Sequence, residues 1–258
     1  VEVTVTRVKL AYGERNSQFG YVYLPKSSPA GPVPVIVLVH GGYWSTEFGL
    51  TIETAIARDL AARGAVVWNI EYRRVGEEGG GWPRTGNDVI AAISALDGPV
   101  RYALPEKIAT AVDWTRVTVI GHSAGGQLAV WAVARLGAKT KKSSIATVIA
   151  QAAPLDLTAG GRVGRPSLRA LMGASITQAP QLYRDASPAE QPPFPAHVVA
   201  IHGELDKSVP IEVSRQYVHR AAAAGQSAEL IVVPNEGHDV FVDPRSRGHR
   251  ETVRVLGI

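Results

Sequence analysis

Ser123 stands between two glycines in the run Gly121-His122-Ser123-Ala124-Gly125. A serine hydroxyl is a weak nucleophile until a base takes its proton. The chain must therefore also supply an imidazole, a carboxylate to orient it, and amide donors for a developing oxyanion. His238 is the candidate base: of the seven histidines it alone lies in the loop between the last expected strand and the last expected helix, in Asn235-Glu236-Gly237-His238-Asp239. Asp206, in the run His202 to Pro210, is the candidate acid, with Asp156 as the alternative and Glu204 behind it. Gly42 and Tyr43, in His40-Gly41-Gly42-Tyr43-Trp44, offer backbone amides for an oxyanion, and Ala124 offers a third where its helix opens. These groups could run acyl transfer. His238 takes the Ser123 proton, the serine attacks a carbonyl, and His238 protonates the leaving group before water frees the acyl-enzyme. His40 reads as a ring that orients its loop by hydrogen bonds. Trp44, Trp82 and His122 are candidate pocket residues, His122 being also a packing residue of the serine turn.

These groups need strands to carry them. In open α/β sheets active groups gather beyond the C-terminal strand ends. Residues 35–39 form an unbroken β-branched and Leu run, the pattern of a strand buried on both faces. Strands are also expected at 65–72, 117–120, 146–150, 197–201 and 230–233. Helices are expected at 47–63, 87–96, 124–136, 211–224 and 244–256. Alternation of this kind implies a mostly parallel, eight-stranded sheet covered on both faces. Residues 1–8 and 19–24 alternate apolar and polar, as antiparallel edge strands do. Each candidate then falls directly after a strand: 40–44, 121–125, 206 and 238. Ser123 also has the strand–turn–helix setting that a strained nucleophile turn requires, which a structural glycine turn does not need. Residues 157–195 break the alternation. They are expected to hold short helices at 167–172 and 180–184 and to cover the site, with the loop 79–84 as a second source of pocket residues.

With 258 residues, 45% hydrophobic and 19% charged, the composition is that of a globular protein expected to form one domain over 1–258. The net charge of +4 is scattered, and Lys139, Lys141 and Lys142 close an expected helix, where cations suit the macrodipole. No nucleic-acid-binding motif is present, and no apolar run has membrane-spanning length. Cysteine is absent, which excludes disulfides and thiolate chemistry. Metal-ligand spacing such as H-E-x-x-H is missing, so neither metal nor cofactor is expected. The lack of a signal pattern points to the cytoplasm; a secreted mature form is the alternative, because the chain begins at Val1.

The order Ser123, Asp206, His238 is the chain order of α/β-hydrolases. The motifs HGGYW, GHSAGGQLA, EYRR with GGGWP, and HGELDKSVP resemble HGG-bearing esterases, nearest to kynurenine formamidase-like and BD-FAE-like hydrolases (the latter including feruloyl and acetyl-xylan esterases). The resemblance covers nearly the whole chain. It implies a cofactor-free serine hydrolase of small esters or amides. The elbow GHSAGG departs from many formamidases, which carry another residue after SAG. Arg73, Asp88 and Asp113 fall at positions similar to the family's and read as ion-pair or capping residues. The leading expectation is a carboxylesterase acting on small-molecule esters. Arylformamidase activity is the nearest enzyme alternative, and a non-catalytic binding protein of the same fold is the alternative from another class. Monomer and homodimer stay open.

Overall fold

The structure is a computed structural model describing residues 6–26, 31–158 and 165–258. Among these residues eight strands form one sheet: β1 (Arg7–Ala11), β2 (Phe19–Tyr23), β3 (Val35–Val39), β4 (Val66–Ile70), β5 (Val117–His122), β6 (Ile145–Gln151), β7 (His197–Gly203) and β8 (Ala228–Val233). Their order is β1-β2-β4-β3-β5-β6-β7-β8. β1 and β2 pair antiparallel, as do β2 and β4, while every pairing from β4 to β8 is parallel. The first strand, expected at 1–8, extends to Ala11, and residues 1–5 of that expectation fall outside the described residues.

The helices that cover the sheet are α1 (Thr54–Ala62), α2 (Arg84–Ser94), α3 (Ala124–Leu136), α4 (Arg165–Met172), α5 (Pro180–Ala186), α6 (Ile211–Ala223) and α7 (Arg247–Leu256). Two buried clusters show how the sheet is clad. Val35, Val37 and Val39 of β3 join a core with α2, α3 and α6, and Ile36 and Leu38 join a second core with α1 and α7. Successive strand side chains point to opposite faces, so a continuous apolar strand feeds both cores. The helix expected over 47–63 starts later. Gly49 is extended, Leu50–Glu53 make a 3₁₀ turn, and the α-helix begins at Thr54.

The parallel order with β3, β5, β7 and β8 adjacent or nearly so brings their C-terminal ends along one rim of the sheet. α4 and α5 lie within the interruption expected at 157–195, and α5 is tied to α3. The Trp131 indole donates to the Asp185 carbonyl at 2.7 Å and the Gln127 amide to the Ala186 carbonyl at 2.8 Å. No described helix is long and apolar enough to cross a membrane.

Candidate active site

β5 ends in a turn whose tightness comes from its glycines. Ser123 holds φ 51° and ψ −121°, a conformation strained for an L-residue, with its amide tied to the Gln151 carbonyl at 2.8 Å. A Cβ on Gly121 would collide with the Gly125 carbonyl, and one on Gly125 with the Val39 and His40 carbonyls. Glycine at both positions lets α3 start directly above the strand and lifts the Ser123 hydroxyl off the sheet.

That hydroxyl meets His238 Nε2 at 2.9 Å, and His238 Nδ1 meets Asp206 Oδ2 at 2.7 Å. The structure thus brings together the three groups expected from strands β5, β7 and β8. Asp206 has no solvent-accessible side-chain surface. Its Oδ1 accepts from the Ser208 and Val209 amides, both at 2.8 Å, and Oδ2 lies 3.2 Å from His202 Nε2. Burial alone would raise this carboxyl, but hydrogen bonds from His202, His238 and the Val209 amide outweigh it and hold it well below 3.8. An ionised Asp206 accepts the Nδ1 proton of His238, which leaves Nε2 as the acceptor facing Ser123. His202 is fully buried, with Nε2 also 2.9 Å from the Val209 carbonyl and Nδ1 2.8 Å from Ser214 Oγ. Because Nε2 faces two acceptors, it carries the proton, and Ser214 donates to Nδ1. Asp156 is elsewhere, held by the Thr158 amide and Arg220, and Glu204 accepts from the Asn235 amide.

β3 runs into the 40–44 loop. His40 is buried, 2.7 Å from both the Gly41 carbonyl and Glu71 Oε1, and stacked on Tyr72 with ring centroids 4.3 Å apart. Tyr72 in turn donates to the His40 carbonyl at 2.8 Å. Burial favours a neutral Glu71, but His40, Arg74 and the Leu50 amide together keep its carboxyl lowered. The loop then turns through positive φ at Gly42 (109°), Tyr43 (55°) and Trp44 (57°). It packs against the serine turn: a Cβ on Gly41 would sit 3.2 Å from Ser123 Cβ. Among the described residues, no acceptor takes the amides of Gly42, Tyr43 or Ala124. Ala124 is the first residue of its helix, whose early N–H groups have no intrahelical partner. Three unclaimed donors therefore flank the serine turn.

A cleft of about 390 Å³ opens here, lined by Gly42, Tyr43, Phe48, Ile52, His122, Ser123, His238, Asp239 and Val242. A more open groove of about 670 Å³ lies along α6, but its lining holds no nucleophile paired with a base, so chemistry rather than size selects the site. The expected pocket residues divide. His122 lines the cleft. Trp44 does not: the left-handed turn sends its indole inward, 3% exposed and donating to Gln127 Oε1 at 3.0 Å. Trp82 packs edge-on against Trp131 at 4.5 Å, beneath α2 and α3. None of the described residues of 157–195 or of 79–84 lines the cleft, contrary to expectation. Phe48, Ile52 and Val242 were not foreseen. Their nearest sequence signal is position alone, beyond the glycine pair or beyond His238.

His122 donates from Nε2 to the His238 carbonyl at 2.9 Å, and its Nδ1 is buried without a partner among the described residues. Burial, then the nearby His238, pushes its pKa down to about 4, so His122 stays neutral at ordinary pH. Ligand atoms of His122, His238 and Asp239 come within 4.8 Å of one another, the sole such group among the described residues. A metal there would take a His238 nitrogen already bonded to Ser123 or Asp206, dismantling the relay. Two other histidines differ in fate. Both fall in expected helices and read from the sequence as surface residues; His219 is exposed, but His249 is fully buried with Nε2 2.7 Å from Asp59 Oδ2. Asp88 receives Arg73 through Nε at 2.8 Å and Nη2 at 2.6 Å, and Asp113 accepts from the Thr115 amide at 3.0 Å.

Sheet order, strained serine turn and helical cladding define an α/β-hydrolase fold. Residues 21–220 match the profile of the BD-FAE family, and the chain belongs to it. It is 29% identical over 253 residues to esterase LipC of Mycobacterium tuberculosis (strain ATCC 25618 / H37Rv), covering 91% of this chain and 60% of LipC. It is 25% identical over 258 residues to the probable isoprenylcysteine alpha-carbonyl methylesterase ICME of Oryza sativa subsp. japonica, covering 93% and 60%. The chain thus spans 60% of the length of these curated relatives. Among solved structures, a truncated carbohydrate esterase from gut microbiota superposes with a TM-score of 0.77 at 20% identity, covering 98% of this chain and 95% of that one.

Proposed function

We propose that this chain is a serine carboxylesterase that cleaves small carboxylic esters through an acyl-enzyme on Ser123. The observation that carries the reading is the relay itself: 2.9 Å from Ser123 Oγ to His238 Nε2 and 2.7 Å from His238 Nδ1 to Asp206. His238 removes the Ser123 proton as the oxygen attacks the ester carbonyl. The amides of Ala124 and of Gly42 or Tyr43 receive the oxyanion. His238 then protonates the leaving alkoxide, and water, activated by the same imidazole, releases the acid. Asp206 keeps the imidazole oriented and balances its charge when protonated. The esterase names of the family relatives support this reading.

Arylformamidase activity stands second because Tyr43, 45% exposed, and Phe48 give the cleft an aromatic wall for an aromatic leaving group. It stands behind the ester reading because Trp44 and Trp82 are turned away from that wall. The test is steady-state hydrolysis of short p-nitrophenyl esters beside N-formylkynurenine at matched concentrations, in wild type and Ser123→Ala. Faster ester turnover that disappears in Ser123→Ala is expected. Equal or faster formamide turnover reverses the order, and undiminished ester turnover in Ser123→Ala removes the mechanism.

A further inference from the structure

We propose that the cleft favours esters whose alcohol half carries a positive charge, such as amino-alcohol esters, with Asp239 as counter-ion and Tyr43 and Phe48 as the aromatic surface. This rests on the hydrolase reading above. His238 delivers the proton to the leaving oxygen, so the alcohol half must lie on the His238 side of Ser123. Asp239 is the next residue. It lines the same cleft, and a carboxylate oxygen lies within 4.8 Å of a His238 ring nitrogen.

An exposed carboxylate is usually only a solvated surface charge. Two features separate Asp239 from that case. Among the described residues, no donor or cation engages its side chain, whereas nearby Asp243 is held by Arg245 at 3.1 Å. Among the described residues no lysine or arginine lines the cleft either, so the fixed charge that they give it is negative. The second feature is the aromatic pair. Tyr43 and Phe48 lie in the same cleft with centroids 6.4 Å apart and planes tilted by 50°. Aromatic rings and a carboxylate lining one cleft suit an ammonium group that reaches both, since it gains from ring quadrupole and counter-ion. A free carboxylate on the substrate meets repulsion in the same place.

At a separation of roughly 5 Å in a water-like medium, one carboxylate is worth about fivefold in affinity for a cation. The rings add roughly two- to fivefold. The test compares kcat/KM for butyrylcholine and for its uncharged isostere 3,3-dimethylbutyl butyrate, as a ratio. The ratio is expected to fall about fivefold in Asp239→Asn, to survive in Asp239→Glu, and to shrink in wild type at about 1 M salt, where charges are screened. Tetramethylammonium should inhibit wild type competitively and Asp239→Asn more weakly. A ratio unchanged in Asp239→Asn, with both esters still hydrolysed, overturns this proposal alone. Absence of turnover of either ester by wild type overturns the hydrolase reading beneath it.

Discussion

Replacing Glu53 by glutamine should stabilise the fold at pH 8 and do little at pH 5. Glu53 closes the 3₁₀ turn ahead of α1, is 3% exposed, and its Oε1 has no hydrogen-bond partner among the described residues. Burial penalises the charged form and pushes the carboxyl from 4.5 up to about 8. Between those values the folded chain keeps the proton while the unfolded chain has lost it. The folded state therefore binds more protons, and stability falls as pH rises through this window. Each pH unit is worth about 1.4 kcal/mol, so the wild type loses about 4 kcal/mol by pH 8 and little more above it. Glutamine cannot ionise and escapes this loss. For a chain of this size the gap corresponds to about 10 °C in Tm at pH 8. Thermal and urea unfolding of both proteins at pH 5, 6, 7 and 8 measures it directly. A stability difference that stays flat from pH 5 to pH 8 would refute the reasoning, because it would mean that Glu53 ionises alike in the folded and unfolded chains.

Other outcomes follow from the site. Asp206→Asn should lower kcat on the order of 10³- to 10⁴-fold, because a neutral amide neither fixes the His238 tautomer nor balances its charge; near-normal single-turnover acylation would contradict that role. Asp206 titrates below 3.8, so its ionised form stabilises the fold fully above that value and the contribution is lost as pH falls through the lowered pKa. Acid unfolding curves should show less pH dependence below about 4 in Asp206→Asn. Gly125→Ala should abolish soluble folded protein or displace the nucleophile turn, since its Cβ meets two backbone carbonyls; a variant with wild-type Tm and activity would count against the close approach. His249→Leu removes the buried link from α7 to Asp59 of α1 and should cost roughly 2–4 kcal/mol by urea unfolding.

The three candidate groups that the structure brings together were legible because each follows the end of a strand, and strand ends can be located from short apolar runs. Ser123, Asp206 and His238 needed no knowledge of side-chain packing. The cleft walls did need it. Trp44 reads as a pocket residue by position, yet positive φ from Gly42 through Trp44 turns its indole toward Gln127, and no propensity rule forecasts three such residues in succession. His249 was misplaced for a related reason. α7 is rich in arginine, and its apolar side chains, Val253, Val255 and Leu256, gather at its C-terminal end, so none of them marks the buried Gly248 and His249 one turn earlier. Glu71 and His202, which brace the loop and the acid, are each set by partners more than ten residues away, or by contacts across a turn, that a linear reading does not display. The interruption at 157–195 was located, but its packing onto α3 depends on Trp131 and Gln127 reaching backbone carbonyls of α5.

The central claim is that His238 activates Ser123 for covalent attack. It is tested most directly by treating wild type, Ser123→Ala and His238→Ala with a fluorophosphonate and mapping the adduct by mass spectrometry. The expected result is a single adduct on Ser123 in wild type, none in Ser123→Ala, and labelling slowed on the order of 10³-fold or more in His238→Ala. An adduct on another residue, or equally rapid labelling of Ser123 without His238, would contradict it.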